Sequence, residues 1–164
     1  MIEVDIDNNV YDSRENCNAI IETSTNTMIQ GCQNTRIPNS VLFIGDSAFS
    51  GSKGLVDIEI PNSVLSIGRG AFASCKDLAK IVIPNSVTSI GFEAFHFCLN
   101  LSEIVLSENL KSLEYQVFMS CRSLTSIVIP NSVEEIGSET FQSCIHLTSL
   151  TIGNGVSNYS VMYP

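Results

Sequence analysis

The string Ile37-Pro-Asn-Ser-Val41 recurs along most of the chain at one fixed spacing. Identical copies begin at Ile60, Ile83 and Ile129, and a degraded copy, Leu-Ser-Glu-Asn-Leu, begins at Leu106, so every start differs from Ile37 by a multiple of 23 residues. Such a period is typical of a repeat protein, whose units cannot bury their apolar faces alone and therefore stack. We expect a solenoid with one continuous core and a function that resides on its surface.

Whole columns of apolar residues follow the same period. One column holds isoleucine or leucine, a second leucine and a third phenylalanine: Ile58, Ile81, Ile104, Ile127 and Leu150; Leu55, Leu78, Leu101, Leu124 and Leu147; Phe49, Phe72, Phe95, Phe118 and Phe141. In a representative copy we expect these and related positions to be buried, namely Leu78, Ile81, Ile83, Val87, Ile90, Ala94, Phe95 and Cys98.

The period divides one continuous solenoid into three parts. Residues 1–36 are a variant first repeat, residues 37–151 are five full 23-residue repeats, and residues 152–164 are an incomplete sixth repeat with a C-terminal tail. Within one unit, residues 78–83 are predicted to form a strand, with Ile81 inward and Lys80 and Val82 outward, because side chains alternate along a strand. Residues 87–90 are predicted to be a second short extended segment, and residues 93–98 about one helical turn.

Composition indicates a folded, acidic domain. Hydrophobic residues make up 44% of the chain, charged residues only 15%, and the net charge is −9. The negative charge makes nucleic acid an unfavourable partner, and no apolar run approaches the ~20 residues that span a bilayer. The N-terminus lacks the features of a signal peptide, which leaves a cytoplasmic chain, a mature form or a piece of a longer secreted protein.

The full pattern is specific enough to resemble a known family. The motif L-x-x-I-x-I-P-N-S-V-x-x-I-G-x-x-A-F-x-x-C, from Ile37 to Ile152, resembles the BspA-like leucine-rich repeats of anaerobic bacterial surface proteins and some protozoan parasites. Residues 10–23 resemble a variant unit of bacterial members. The predicted fold is thus an α/β repeat: a right-handed leucine-rich-repeat solenoid with short strands and short helical turns. The resemblance implies a cell-surface or secreted location and adhesion, and it supplies no catalytic residues and no cofactor.

The first repeat carries about ten added residues. Two strand-like segments, residues 18–23 and 27–32, flank the turn-forming sequence Ser24-Thr25-Asn26. This arrangement predicts a β-hairpin inserted into the first coil. The hairpin is placed to cover one end of the stack.

Cysteine usage divides in two. Four cysteines stand one period apart and are predicted to be buried free thiols in a line, a geometry that cannot converge on zinc: Cys75, Cys98, Cys121 and Cys144. Folding the predicted hairpin about its turn brings Cys17 opposite Cys32. A disulfide worth ~3 kcal/mol is one alternative for this pair in an oxidising compartment, and two free thiols are the other.

Sequence signatures of enzymes are missing. His96 and His146 occupy different columns without recurring acidic or cysteine partners, and no nucleophile elbow, zinc-protease helix or nucleotide-binding loop is present. Residues 5–9 only faintly resemble a calcium loop, since the central glycine and bidentate glutamate are missing. We therefore predict a protein that is not an enzyme and has no cofactor.

Two surfaces are candidate sites for a protein ligand. On the outward strand face, three valines form an apolar stripe beside polar residues: Val82, Val105 and Val128, with Lys80, Glu103 and Ser126. The stripe is either ordinary cross-strand packing, which favours β-branched residues, or a hydrophobic surface suited to a protein or extended peptide. A second patch lies on the predicted helical segments of the third and fourth copies: Phe92, Phe97, Tyr115 and Met119.

Two functions are consistent with these features. The first is a non-enzymatic module that binds proteins of a host or neighbouring cell through the solenoid face. The second is a structural spacer in a larger secreted protein, which would hold another domain at a distance.

Overall fold

A computed structural model describes residues 1–159 of the 164-residue chain and shows a leucine-rich-repeat β-solenoid of about five turns. A 3-10 helix, Arg14–Asn16, follows the first strand, and within the described residues no helix is long and apolar enough to cross a bilayer. The strands, in chain order, are β1 (Tyr11–Asp12), β2 (Ile20–Glu22), β3 (Thr27–Gln30), β4 (Phe43–Ile44), β5 (Ser66–Ile67), β6 (Lys80–Val82), β7 (Ser89–Ile90), β8 (Glu103–Val105), β9 (Ser112–Leu113), β10 (Ser126–Ile129), β11 (Glu135–Ile136), β12 (Ser149–Ile152) and β13 (Asn158–Tyr159).

Successive coils pair their strands in parallel at the same position of the repeat. Strand β6 pairs with β8 and strand β10 with β12, which places Val82 beside Val105 and Val128 beside Thr151. A second ladder joins β3, β4, β5 and β7, and a third joins β9, β11 and β13. Because each register step from β4 onwards equals the sequence period, one column of the sequence becomes one line of side chains in space.

The core confirms the predicted columns. All eight positions predicted for the representative copy are buried, and so are most of their equivalents in the other copies. The phenylalanine rings stack from coil to coil, with centroids 5.0 Å apart at Phe49–Phe72 and 5.8 Å apart at Phe118–Phe141. Stacked pairs of this kind contribute about 0.5–1.5 kcal/mol beyond the burial of their area.

The predicted helical turn at residues 93–98 is wrong. Glu93 and Phe97 have φ of 58°, in the left-handed region, and this interrupts any right-handed helix. The N–H groups of Glu93, Phe95 and Phe97 instead donate to the carbonyls of Tyr115, Val117 and Met119 on the next coil, over 2.9–3.0 Å. Alternate N–H groups of the segment therefore bond to the next coil, while His96 and Cys98 donate to the carbonyls of Glu93 and Phe95 within it.

The parallel ladders are interrupted at the degraded copy. Strands β8 and β10 are neighbours, as are β7 and β9, but among the described residues neither pair forms a ladder. Between these pairs lies Ser107, which replaces the repeat proline; it is buried and its hydroxyl donates to the Val87 carbonyl over 2.6 Å. One ladder thus breaks on the C-terminal side of the degraded copy, after β8, and the other on its N-terminal side, before β9.

The predicted N-terminal hairpin is present. Strands β2 and β3 are antiparallel, β1 extends the sheet beyond β2, and β3 pairs in parallel with β4 of the first full repeat. Ala19, Ile21 and Met28 are fully buried beneath it. The hairpin therefore extends the core and covers the end of the stack that residues 37–60 would otherwise expose.

Candidate protein-binding surfaces

The valine stripe lies on the outward side of the strands, as the alternation predicts. Val82, Val105 and Val128 have exposed fractions of 59%, 49% and 63%. Their strand neighbours Ile81 and Ile104 point inward and are buried. Each exposed valine of the stripe thus follows a buried isoleucine on the same strand.

The side chains beside the stripe change character along the solenoid. Lys80 and Glu103 are exposed and directly opposite in the β6–β8 pair, so opposite charges meet across the strands. Towards the N-terminus, Asp57 and Glu59 are exposed and line a groove with Lys80, Val82 and Glu103. Towards the C-terminus, the flank is uncharged: Ser126, Ser149 and Thr151. The stripe therefore has an acidic end and a hydroxyl-bearing end.

The residues of the second patch form two pairs on adjacent coils. Phe92 and Tyr115 occupy one column of adjacent coils and are 45% and 41% exposed. Phe97 is exposed, Met119 is half-buried, and their backbones are joined by a hydrogen bond of 2.9 Å. Other copies carry glycine or serine in the column of Phe97, so an aromatic residue at positive φ is peculiar to this coil.

Charged residues that the sequence reasoning did not single out surround the second patch. The guanidinium carbon of Arg69 lies 5.6 Å from the Phe92 ring centroid, and Arg69 Nη2 lies 3.7 Å from Glu93 Oε2. The Tyr115 hydroxyl donates to Glu139 Oε2 over 3.0 Å. This hydrogen bond raises the pKa of the Tyr115 phenol, and the charge of Glu93 acts in the same direction. The 23-residue step placed Arg69 in the column of Phe92, which is the sequence signal that could have identified it.

The four periodic thiols are buried and individually hydrogen-bonded. Each sulfur donates to the carbonyl of a phenylalanine 26 residues earlier, over 3.0–3.2 Å, as Cys75 Sγ does to Phe49. Burial raises the pKa of Cys75 and of Cys144 to about 11, and raises the pKa of Cys98 and Cys121 further. Low thiolate content makes these groups poor nucleophiles and poor metal ligands. Within residues 1–159, no group of three or more metal-binding side chains is assembled.

Cys17 and Cys32 were predicted to lie opposite each other, and the register of the hairpin shows that they do not. A bulge shifts the pairing between Ile21↔Met28 and Ile20↔Gln30, and a shift of one residue changes which residue lies opposite. Asn18 is consequently the neighbour of Cys32, with Asn18 Nδ2 3.0 Å from Cys32 Sγ. Both cysteines are free thiols in this structure, and the register does not favour the disulfide.

The histidines do not form a site together. His96 is half-buried, and burial lowers its pKa while Glu93 opposes the shift. The centroid of its ring lies 4.4 Å from the centroid of the Phe97 ring, so His96 belongs to the second patch. His146 is exposed and its Nδ1 lies 2.7 Å from the Arg122 carbonyl oxygen.

Comparison with known proteins supports the fold and the repeat. The model of the BspA type leucine rich repeat region matches residues 21–148 in six copies. None of the curated proteins matches the chain.

Among solved structures, a leucine-rich repeat protein from Bacteroides ovatus is 36% identical with a TM-score of 0.72, over 76% of this chain and 33% of that one. The leucine rich repeat protein of T. pallidum is 28% identical with a TM-score of 0.75, over 96% and 86%. A leucine rich cell surface protein from Faecalibacterium prausnitzii is 25% identical with a TM-score of 0.56, over 89% and 40%. The chain thus spans only a third of the Bacteroides ovatus protein. With most of its length matched by the family model, this chain belongs to the BspA-type leucine-rich repeat family.

Proposed function

We propose that this chain is a non-enzymatic protein-binding module that contacts its partner through the strand face and acts in adhesion to host or neighbouring-cell proteins. Repeats of this family are generally protein-interaction modules, and one similar structure is described as a cell surface protein. These facts support a surface or secreted location for the chain.

The observation that carries the proposal is the exposed valine stripe. Val82, Val105 and Val128 lie outward on strands held by inter-coil hydrogen bonds, such as Ile83 N–H to the Val105 carbonyl over 2.8 Å. A rigid surface loses little conformational entropy on binding. Apolar centres with polar rims are typical of the cores of protein interfaces.

The contacts along the groove indicate how a partner would be oriented. Asp57 and Glu59 offer carboxylates at one end, whereas Ser126 and Thr151 offer hydroxyls at the other. A partner with a basic side chain at one end of an apolar segment would match this order in one direction only, because the reverse would place that side chain beside uncharged hydroxyls. The residues that bear the contact in this proposal are Lys80, Val82, Glu103, Val105, Ser126 and Val128.

The test is a charge placed in the middle of the stripe. Val105→Lys leaves the core untouched and should weaken retention of proteins from a host-cell extract at least about tenfold, because a lysine buried without a partner is strongly unfavourable. Leu65→Lys is the matched control. Leu65 is similarly exposed, lies outside the stripe, and shares a column with Lys111.

Circular dichroism of both variants should match that of the parent protein. If folded Val105→Lys retains the same proteins as Leu65→Lys, the strand face is not the site, and the second patch becomes the candidate. If none of the three proteins retains a partner, the alternative function of a structural spacer is favoured.

A further inference from the structure

We propose that the turn side of the solenoid carries a second, independent site, at Tyr115 and its flanking carboxylates, which binds an arginine side chain of a partner protein. A contact of the same kind is already present within the chain. Arg69 places its guanidinium 5.6 Å from the Phe92 ring centroid and 3.7 Å from the Glu93 carboxylate. An aromatic ring beside a carboxylate therefore already holds an arginine on this edge.

The next coil repeats the aromatic ring but not the arginine, and Gln116 stands where the first coil has Glu93, so the carboxylates near this ring come from the coils on either side. Tyr115 follows Phe92 in the same column, so its ring takes the corresponding place one coil further along. Arg69 reaches the Phe92 ring from one coil earlier in the same column. For the Tyr115 ring, the corresponding position is occupied by Phe92, which is not basic. The Tyr115 ring is 41% exposed and thus open to a side chain from another molecule.

Carboxylates lie on both sides of this ring. Glu139 accepts hydrogen bonds from the Tyr115 hydroxyl and the Gln116 amide, and both end on Oε2, which leaves Oε1 for an incoming donor. Glu93 on the preceding coil donates its backbone N–H to the Tyr115 carbonyl over 3.0 Å. A guanidinium can stack on an aromatic face and present planar donors to a carboxylate at the same time.

Charge complementarity selects a basic partner over a second copy of this chain. Glu139 accepts the hydrogen bond of the Tyr115 hydroxyl, and Glu93 lies on the preceding coil, where it pairs with Arg69. The chain as a whole carries a net charge of −9. Two such surfaces would repel one another, whereas an arginine-bearing segment would be attracted to this edge.

The experiment is a titration of isotope-labelled full-length chain with acetylated tetra-arginine amide, followed by NMR. We expect the largest shifts at Phe92, Tyr115 and Glu139. Tyr115→Ser, which introduces the residue found at Ser138 of the same column, should weaken binding roughly 2- to 30-fold, the range of a cation–π contact. Glu139→Gln should weaken it by a similar factor while preserving an acceptor for Tyr115 and Gln116.

Matched controls distinguish binding at this site from general electrostatic attraction of a basic peptide to the acidic chain. Glu134→Gln changes the net charge by the same amount but lies in the column of Leu65 and Lys111, outside both proposed sites, so its affinity for the peptide should stay within twofold of the parent value. Tetra-lysine amide should bind more weakly than tetra-arginine. The proposal is overturned by equal losses in Glu139→Gln and Glu134→Gln, by equal affinity for the two peptides, or by shifts that miss Tyr115. Since Val105→Lys probes the opposite surface, failure here leaves the strand-face proposal standing.

Discussion

The strand side and the turn side of each coil both form hydrogen bonds to the next coil, but they do so with different backbone conformations. On the strand side, residues such as 80–82 pair with 103–105 in ordinary parallel ladders. On the turn side, Glu93, Phe95 and Phe97 also donate to the next coil, but Glu93 and Phe97 do so from left-handed backbone conformations. The comparison shows that stacking requires inter-coil hydrogen bonds on both sides, whereas the local backbone that provides them can differ.

The two sides also differ in how freely their outward residues vary. The strand face keeps valine in three successive coils, Val82, Val105 and Val128. The turn-side column that contains Phe92 and Tyr115 holds a different residue in each coil. A repeated surface favours an extended contact, whereas a surface that changes at every coil favours a local one.

The largest expected effect tests whether the phenylalanine column on the turn side is part of the core. Phe95→Ala should lower the free energy of unfolding by about 3–5 kcal/mol, through lost burial and the cavity left between Phe72 and Phe118. Chemical denaturation measures this change. Phe92→Ala, an exposed phenylalanine of the same coil, should change stability by less than about 1 kcal/mol. Equal losses in the two variants would contradict the assignment of this column to the core.

A smaller effect is expected from alkaline pH. Folding raises the pKa of Cys75 to about 11, above the value of an unfolded thiol, so the protonated form is favoured in the native state. The resulting stability is present below about pH 8.5 and is lost as pH rises towards 11, at about 1–2 kcal/mol per buried thiol by pH 10. Cys98→Ala should show a shallower fall in unfolding free energy between pH 8 and pH 10. Parallel curves for parent and variant would contradict burial of the thiol as the cause.

The smallest expected effect tests the left-handed positions. Ser143 has φ of 61° and shares its column with Gly51. Ser143→Gly should therefore leave stability unchanged or raise it by up to about 1 kcal/mol, because glycine adopts this region without strain. Gln142→Gly, at the preceding residue, should lower stability by about 0.5–1 kcal/mol. Thermal denaturation compares the two, and a loss in both would show that the turn side needs no left-handed residue.

The sequence by itself determined the repeat, the buried columns and the outward stripe. A period of 23 residues assigns Phe95 or Ile81 to the same place in every coil, and alternation along a strand decides that Val82 faces outward. The hairpin followed from two strand-like segments around Ser24-Thr25-Asn26. These features depend on local pattern and on one stacking step, both of which are visible in the chain.

Only the tertiary structure decided the turn backbone, the hairpin register and the surroundings of Tyr115. Glu93 and Phe97 adopt positive φ although neither is glycine; their columns carry glycine in one other coil each, at Gly70 and Gly51, and inter-coil hydrogen bonds hold the conformation where glycine is replaced. The bulge that sets Asn18 beside Cys32 lies between Ile20 and Ile21, and the strand-like pattern of the two segments does not reveal it. Glu139 reaches Tyr115 only because stacked coils bring together side chains that lie 24 residues apart along the chain.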